Sequence, residues 1–97
     1  MRIKDEDKII IKKITKEYFG SSARVYLFGS RINDQKKGGD IDLYIETDLK
    51  KDIIRQKLKM LGMLHEALGE QKIDIVVNNF VNDKYIYHIA KDEGIRL

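Results

Sequence analysis

The segment from Val25 to Ile45 constrains the chain more than any other. An apolar run, Val25-Tyr-Leu-Phe28, stops at Gly29-Ser30. A polar stretch containing Arg31, Lys36 and Lys37 follows, and a second apolar run then opens with Asp40-Ile-Asp42. Short runs rich in β-branched and aromatic residues, bounded by glycine, read as strands. Side chains alternate along a strand, so Asp40 and Asp42 share one face. Two such carboxylates can hold a divalent cation between them. Gly-Ser at the end of the neighbouring strand leaves room for a phosphate to approach the backbone. The segment therefore predicts two strands meeting at a metal-dependent site for a nucleoside triphosphate.

The remaining elements frame that pair. Residues 5–19 read as a helix, with Asp5 as its cap, Ile10, Ile11, Ile14 and Tyr18 at helical spacing, and Gly20 as its stop. The strands are expected over 23–28 and 41–46, with a polar loop over 29–40. A long helix is expected over 49–68, capped by Thr47 or Asp48 and ended by Gly69. A third strand follows over 72–78, then a last helix over 83–92, capped by Asn82 or Asp83 and stopped near Gly94. The order is α-β-β-α-β-α.

Connectivity then decides which ends meet. A helical crossover makes the second and third strands parallel, while an irregular loop permits an antiparallel first pair. The result is an α/β (α+β) fold with a small mixed three-stranded sheet and helices packed on one face. Gly29-Ser30 and Asp40-Ile-Asp42 come to the same end of that sheet. Asp74, near the start of the third strand, should lie close to Asp42. Ile41, Leu43 and Ile45 share one face of their strand, as do Ile73, Ile75 and Val77 of theirs. Burying both aliphatic rows leaves Asp40, Asp42 and Asp74 on the opposite, open face, together with Tyr26 and Tyr44.

Composition sets limits. Ninety-seven residues suit one thin domain over 1–97, so part of any cleft is expected from a partner chain. A net charge of +3 fits an anionic ligand or acidic partner and does not argue for nucleic acid. The absence of cysteine excludes disulfides, zinc-thiolate sites and thiol nucleophiles. With no long apolar stretch and a charged start, a soluble cytoplasmic protein with no membrane contact is expected.

Three carboxylates on one surface repel each other unless a cation compensates them, and Mg2+ suits all-oxygen ligation shared with phosphates. Asp40 and Asp42 take the metal-bridging role. Asp74 completes a second metal position and can accept the proton of an incoming hydroxyl. Ser30, Arg31 and the Gly29 backbone hold the β- and γ-phosphates. Either half of the motif alone is equally a turn; the conjunction with Asp74 carries the functional reading. Neither His65 nor His88 has a partner carboxylate at recognisable metal spacing, and the Leu/Met stripe of the long helix reads as core.

Gly29-Ser30, nine spacer residues and Asp40-Ile41-Asp42 resemble the Gly-Ser-spacer-Asp-x-Asp signature of the DNA polymerase β-like nucleotidyltransferase superfamily. The short length, Lys72-Ile-Asp74-Ile-Val76 and the ending Ile89-Ala-Lys-Asp-Glu-Gly94-Ile95 resemble its minimal nucleotidyltransferase (MNT) group. That resemblance implies the nucleotidyltransferase fold, ATP as donor and Mg2+ as metal. It also implies a HEPN-domain ribonuclease toxin as partner, with AMP transferred to a tyrosine hydroxyl of that toxin. The spacer is one residue shorter than is common, Gly39 stands where serine usually precedes the first aspartate, and Asn33-Asp34 replace a usual glycine. Two other readings fit the same residues. One is a binding antitoxin that occludes its toxin, the other the catalytic subunit of a two-chain enzyme acting on a small hydroxylated molecule.

Overall fold

The computed structural model describes residues 3–29, 41–69 and 71–97. Its elements are α1 (Asp5–Phe19), β1 (Arg24–Phe28), β2 (Ile41–Glu46), α2 (Ile53–Leu68), β3 (Ile73–Asn78), α3 (Tyr85–Glu93) and β4 (Ile95–Arg96). The sheet order is β3-β2-β1-β4. β1 runs antiparallel to β2 and β4, and β2 runs parallel to β3. The expected mixed α/β fold is therefore present. Among the described residues, no helix is long and apolar enough to cross a membrane.

Alternation in β2 builds the main core. Ile41, Leu43 and Ile45 point to one face and are buried with Val25 and Leu27 of β1 and Ile73 and Ile75 of β3. α1 covers that face with Ile11, Ile14 and Phe19, and α2 with Met60 and Leu64. Each large aliphatic side chain buried in this way contributes about 1.5–3 kcal/mol. Thr47 locks the layers together: its hydroxyl donates to the Phe19 carbonyl (2.7 Å) and accepts from the Leu49 N–H (3.1 Å).

That use of Thr47 explains one departure from the expected boundaries. Its acceptor role is spent on the Leu49 N–H in a local turn, residues 49–52 stay non-helical, and α2 starts at Ile53. Asp52 stands before it in the left-handed conformation (φ 59°) and makes no side-chain cap. α3 departs in the same way. Lys84 precedes it without a side-chain cap, while the Asp83 carboxylate lies 2.7 Å from Nε2 of His88. Asp5 likewise opens α1 as its first residue rather than its cap.

Two larger corrections concern the sheet. A fourth strand, β4, adds to the expected three. It is only two residues long, too short for any periodicity to show, and Leu97 extends it by donating to the Val25 carbonyl (3.0 Å). The helices also do not all pack on one face. α3 lies on the opposite face, because that face carries an apolar strip of Tyr26, Phe28, Tyr44 and Val76 that needs cover. Tyr87 and Ala90, three residues apart on α3, supply it.

The chain turns from α3 into β4 at Gly94. A Cβ there would lie 2.3 Å from the Ala90 carbonyl oxygen and 3.2 Å from Cβ of Tyr26. The first clash is with backbone and cannot be relieved by a rotamer change. Gly94→Ala should therefore destabilise the fold by about 1–3 kcal/mol, as overpacking does, read as a lower urea midpoint.

Candidate active site

Strand register lays the second face out in rows. Phe28, Asp42 and Asp74 form one row, Tyr26, Tyr44 and Val76 the next, and Arg24, Glu46 and Asn78 the third. α3 covers the second row and reaches the third through Tyr87, Ala90 and Lys91. Asp42 and Asp74 sit at the other end, Asp42 half-buried and Asp74 exposed. Paired residues on neighbouring strands stand about 4.8 Å apart, so a cation between the two side chains would offset their like charge.

Gly29 abuts them from β1. Its φ is +79°, and a Cβ would fall 2.2 Å from Oδ2 of Asp42. The missing side chain thus lets the Asp42 carboxylate lie against the backbone at the end of β1. Two hard oxygen donors in one row, beside backbone stripped of a side chain, suit a divalent cation with phosphate oxygens. Asp40, Ser30, Arg31, Lys36 and Lys37 lie outside the described residues. Among the described residues, no cluster of three or more potential metal ligands forms.

The third row holds what sequence reasoning missed. Glu46 is 2% exposed yet accepts hydrogen bonds from four side chains. Nε of Arg24 donates to Oε1 at 2.9 Å, and the Tyr26 hydroxyl to the same oxygen at 3.4 Å. Nζ of Lys91 donates to Oε2 at 3.0 Å and the Tyr44 hydroxyl at 3.1 Å. Asn78 completes the network by donating to the Tyr44 hydroxyl (3.0 Å) while its own Oδ1 accepts from the Phe80 N–H (2.9 Å). Burial works to raise the Glu46 pKa, but the hydrogen bonds from Arg24, Lys91 and Tyr44 outweigh it and hold the carboxyl below its ordinary value. Burial pushes the Tyr44 phenol up, and the Glu46 charge adds to the effect against the Asn78 hydrogen bond.

This network also corrects the expectation that Tyr44 lies on an open face. The residue does lie on the aspartate face, but it is 1% exposed under α3. Its ring stands 5.7 Å from that of Tyr26 and 6.0 Å from that of Tyr87. A cleft of about 460 Å³ opens over Glu46, Asn78 and the start of α3, away from the carboxylate row. The legible signal for Glu46 was its place in the same alternation as Asp42 and Tyr44, opposite Arg24 in an antiparallel pair.

Residues 8–97 match the family model for the nucleotidyltransferase domain. The chain belongs to that family. The match spans Gly29, Asp42 and Asp74, and nucleotide transfer is the activity that such a domain carries. No curated protein sequence matches the chain.

Two substitutions separate the two halves of this face. Gly29→Ala places a β-carbon against Asp42 at a positive φ. It should cost about 1–2 kcal/mol of stability and weaken any binding of a nucleoside triphosphate with a divalent metal by about tenfold or more in calorimetry. Glu46→Gln should cost about 1–3 kcal/mol near neutral pH. Because the Glu46 pKa is depressed by folding, its contribution is fully present above the ordinary value of 4.5. It is lost as the pH falls through the lower value of the folded state. The variant should therefore flatten the acid limb of stability, measured by urea unfolding at a series of pH values.

Proposed function

We propose that the protein is a magnesium-dependent adenylyltransferase that transfers AMP from ATP to a tyrosine hydroxyl of a HEPN-domain ribonuclease toxin, and acts as the antitoxin of that toxin. The observation that carries the reading is the carboxylate row. Asp42 and Asp74 are register partners on one face, and the Asp42 carboxylate occupies the space that a side chain at Gly29 would fill. The family match supports nucleotide transfer, and the resemblance to MNT antitoxins supplies the acceptor and partner.

Asp42 and Asp74, with Asp40, are the residues that would hold Mg2+. When bound, the metal supplies compensation of triphosphate charge and a lowered pKa for the attacking hydroxyl. The Gly29 backbone, Ser30 and Arg31 would hold the phosphates. The acceptor oxygen attacks the α-phosphorus and a new O–P bond forms. The bond from that phosphorus to the bridging oxygen breaks, and pyrophosphate leaves. Asp74 would take the hydroxyl proton on a carboxylate oxygen and release it to solvent.

One structural feature also favours a toxin-occluding role. Ile54, Leu58, Phe80, Val81 and Tyr85 are large apolar residues left exposed, and such surface marks protein contacts. The two readings separate with one pair of variants. With labelled ATP, Mg2+ and purified cognate toxin, Asp42→Asn and Asp74→Asn should each lower label transfer by about a hundredfold or more, in the range of lost acid–base or metal-ligand function. Transfer at the unsubstituted rate would overturn the assignment. Cellular rescue from the toxin by Asp42→Asn would place neutralisation in occlusion rather than chemistry.

A further inference from the structure

β3 is an outer strand: among the described residues it pairs with β2 alone. The carbonyls of Lys72 and Asn78 point inward, accepting from Ile41 and Thr47 of the β2 side. Backbone groups alternate sides along a strand, so those of Ile73, Ile75 and Val77 point outward. No partner for them exists among the described residues. Such a row of unpaired donors and acceptors is a template for another strand.

The edge is not flat. A groove of about 360 Å³ runs along it, with Ile54 and Lys57 of α2 on one rim and Lys84, just before α3, and Ile86 of α3 on the other. Ile75, Val76 and Val77 form the floor. The rims are apolar and unshielded, with Ile54 75% and Ile86 40% exposed. They are also cationic. Residues 50–59 carry Lys50, Lys51, Arg55, Lys57 and Lys59 against one acid, Asp52. Among the described residues neither Lys57 nor Lys84 has an ion pair.

We infer that this groove takes an extended acidic segment of a partner protein, which adds to β3 as a further strand between α2 and α3. Three observations select that occupant. Rims on both sides of the edge admit a single strand, whereas a second copy would bring its own α2 and α3 into the same space. Two copies would also oppose like-charged rims, while an acidic segment neutralises them. A lipid surface would leave the outward backbone groups without partners in hydrocarbon, which costs several kcal/mol each. In strand addition, main-chain hydrogen bonds supply affinity and alternating pockets supply specificity. The bound segment therefore carries aliphatic and acidic side chains on both of its faces. Neither Asp42 nor Asp74 lines this groove, so the inference does not rest on the catalytic reading.

A probe follows from the geometry. In the acetylated peptide Glu-Glu-Val-Val-Glu-Glu-Val-Val, each face presents glutamate and valine in turn. Fluorescence anisotropy of the labelled peptide on the intact protein should show saturable binding, at least about tenfold tighter than a version with Lys in place of Glu. Lys57→Glu/Lys84→Glu, both at the surface, should reverse that preference. Amide hydrogen exchange at Ile75 and Val77 should slow when the peptide is bound. Asp42→Asn should bind the peptide as well as the unsubstituted protein, so a failed transfer assay leaves this result standing. Absence of saturable binding would overturn the inference. So would equal affinity for the Lys peptide, unchanged exchange at Ile75 and Val77, competition by single-stranded RNA, or light scattering showing a dimer that the peptide does not dissociate.

Discussion

A one-residue slip of β2 would turn Ile41, Leu43 and Ile45 away from α1 and α2 and bury Asp42 and Glu46 in their place. The cost of that exchange fixes the register of the central strand, and the rest of the molecule inherits it. β1 and β3 both pair with β2, so its register decides which residues share a row on each face. Asp42 meets Asp74 because Leu43 meets Ile75 one step along the same ladder. The proposed chemistry is thus held in place by burial on the other side of the sheet.

The far end of β2 shows what the second face requires when it is covered. Tyr44 is buried beneath α3, and a buried hydroxyl needs partners. Asn78 and Glu46 provide them, and Glu46 then needs cations. Arg24 supplies one from β1 and Lys91 one from α3. Both cations reach solvent, so only the carboxylate carries the full desolvation cost, and four donors offset it. Glu46 ties β1, β2 and α3 together, and β3 joins through Asn78 on the Tyr44 hydroxyl. The other end of the same strand carries a different arrangement: two carboxylates, Asp42 and Asp74, in one row.

Much of this was legible in the sequence, and the reasons for the rest are specific. The two aliphatic rows gave the strand faces, and the crossover rule gave the parallel pair, so the meeting of Asp42 with Asp74 followed. Phe19 and Leu68 end their helices where expected, because helix stops at Gly20 and Gly69 are local signals. α3 was assigned to the wrong face because Tyr26 and Tyr44 were read as part of an open face, whereas with Phe28 and Val76 they form a second small core. No local pattern distinguishes the two; the covering residues, Tyr87 and Ala90, come more than forty positions after Tyr44. Thr47 or Asp48 was expected to cap the long helix, and the Thr47 hydroxyl instead closes a turn onto the Leu49 N–H while donating to the Phe19 carbonyl. Asp40, Ser30 and Arg31 lie outside the described residues, so the carboxylate row was legible as far as Asp42, Asp74 and Gly29.

β3 joins the two surfaces that matter most. It carries Asp74 on one face and, through Ile75 and Val77, an open hydrogen-bonding edge. Asp74 is exposed on an outer strand, held by a ladder on one side only among the described residues. Local opening free energies are lowest where backbone hydrogen bonds are fewest, so this carboxylate stands on the least constrained strand of the Asp42 row. A segment added to the free edge would give β3 a second ladder and restrict the motion of Asp74 relative to Asp42. Metal sites and transfer reactions both depend on such positioning. A strand supplied by a partner would therefore act on the chemistry of this thin domain without touching the nucleotide, by completing the sheet on which the third carboxylate stands.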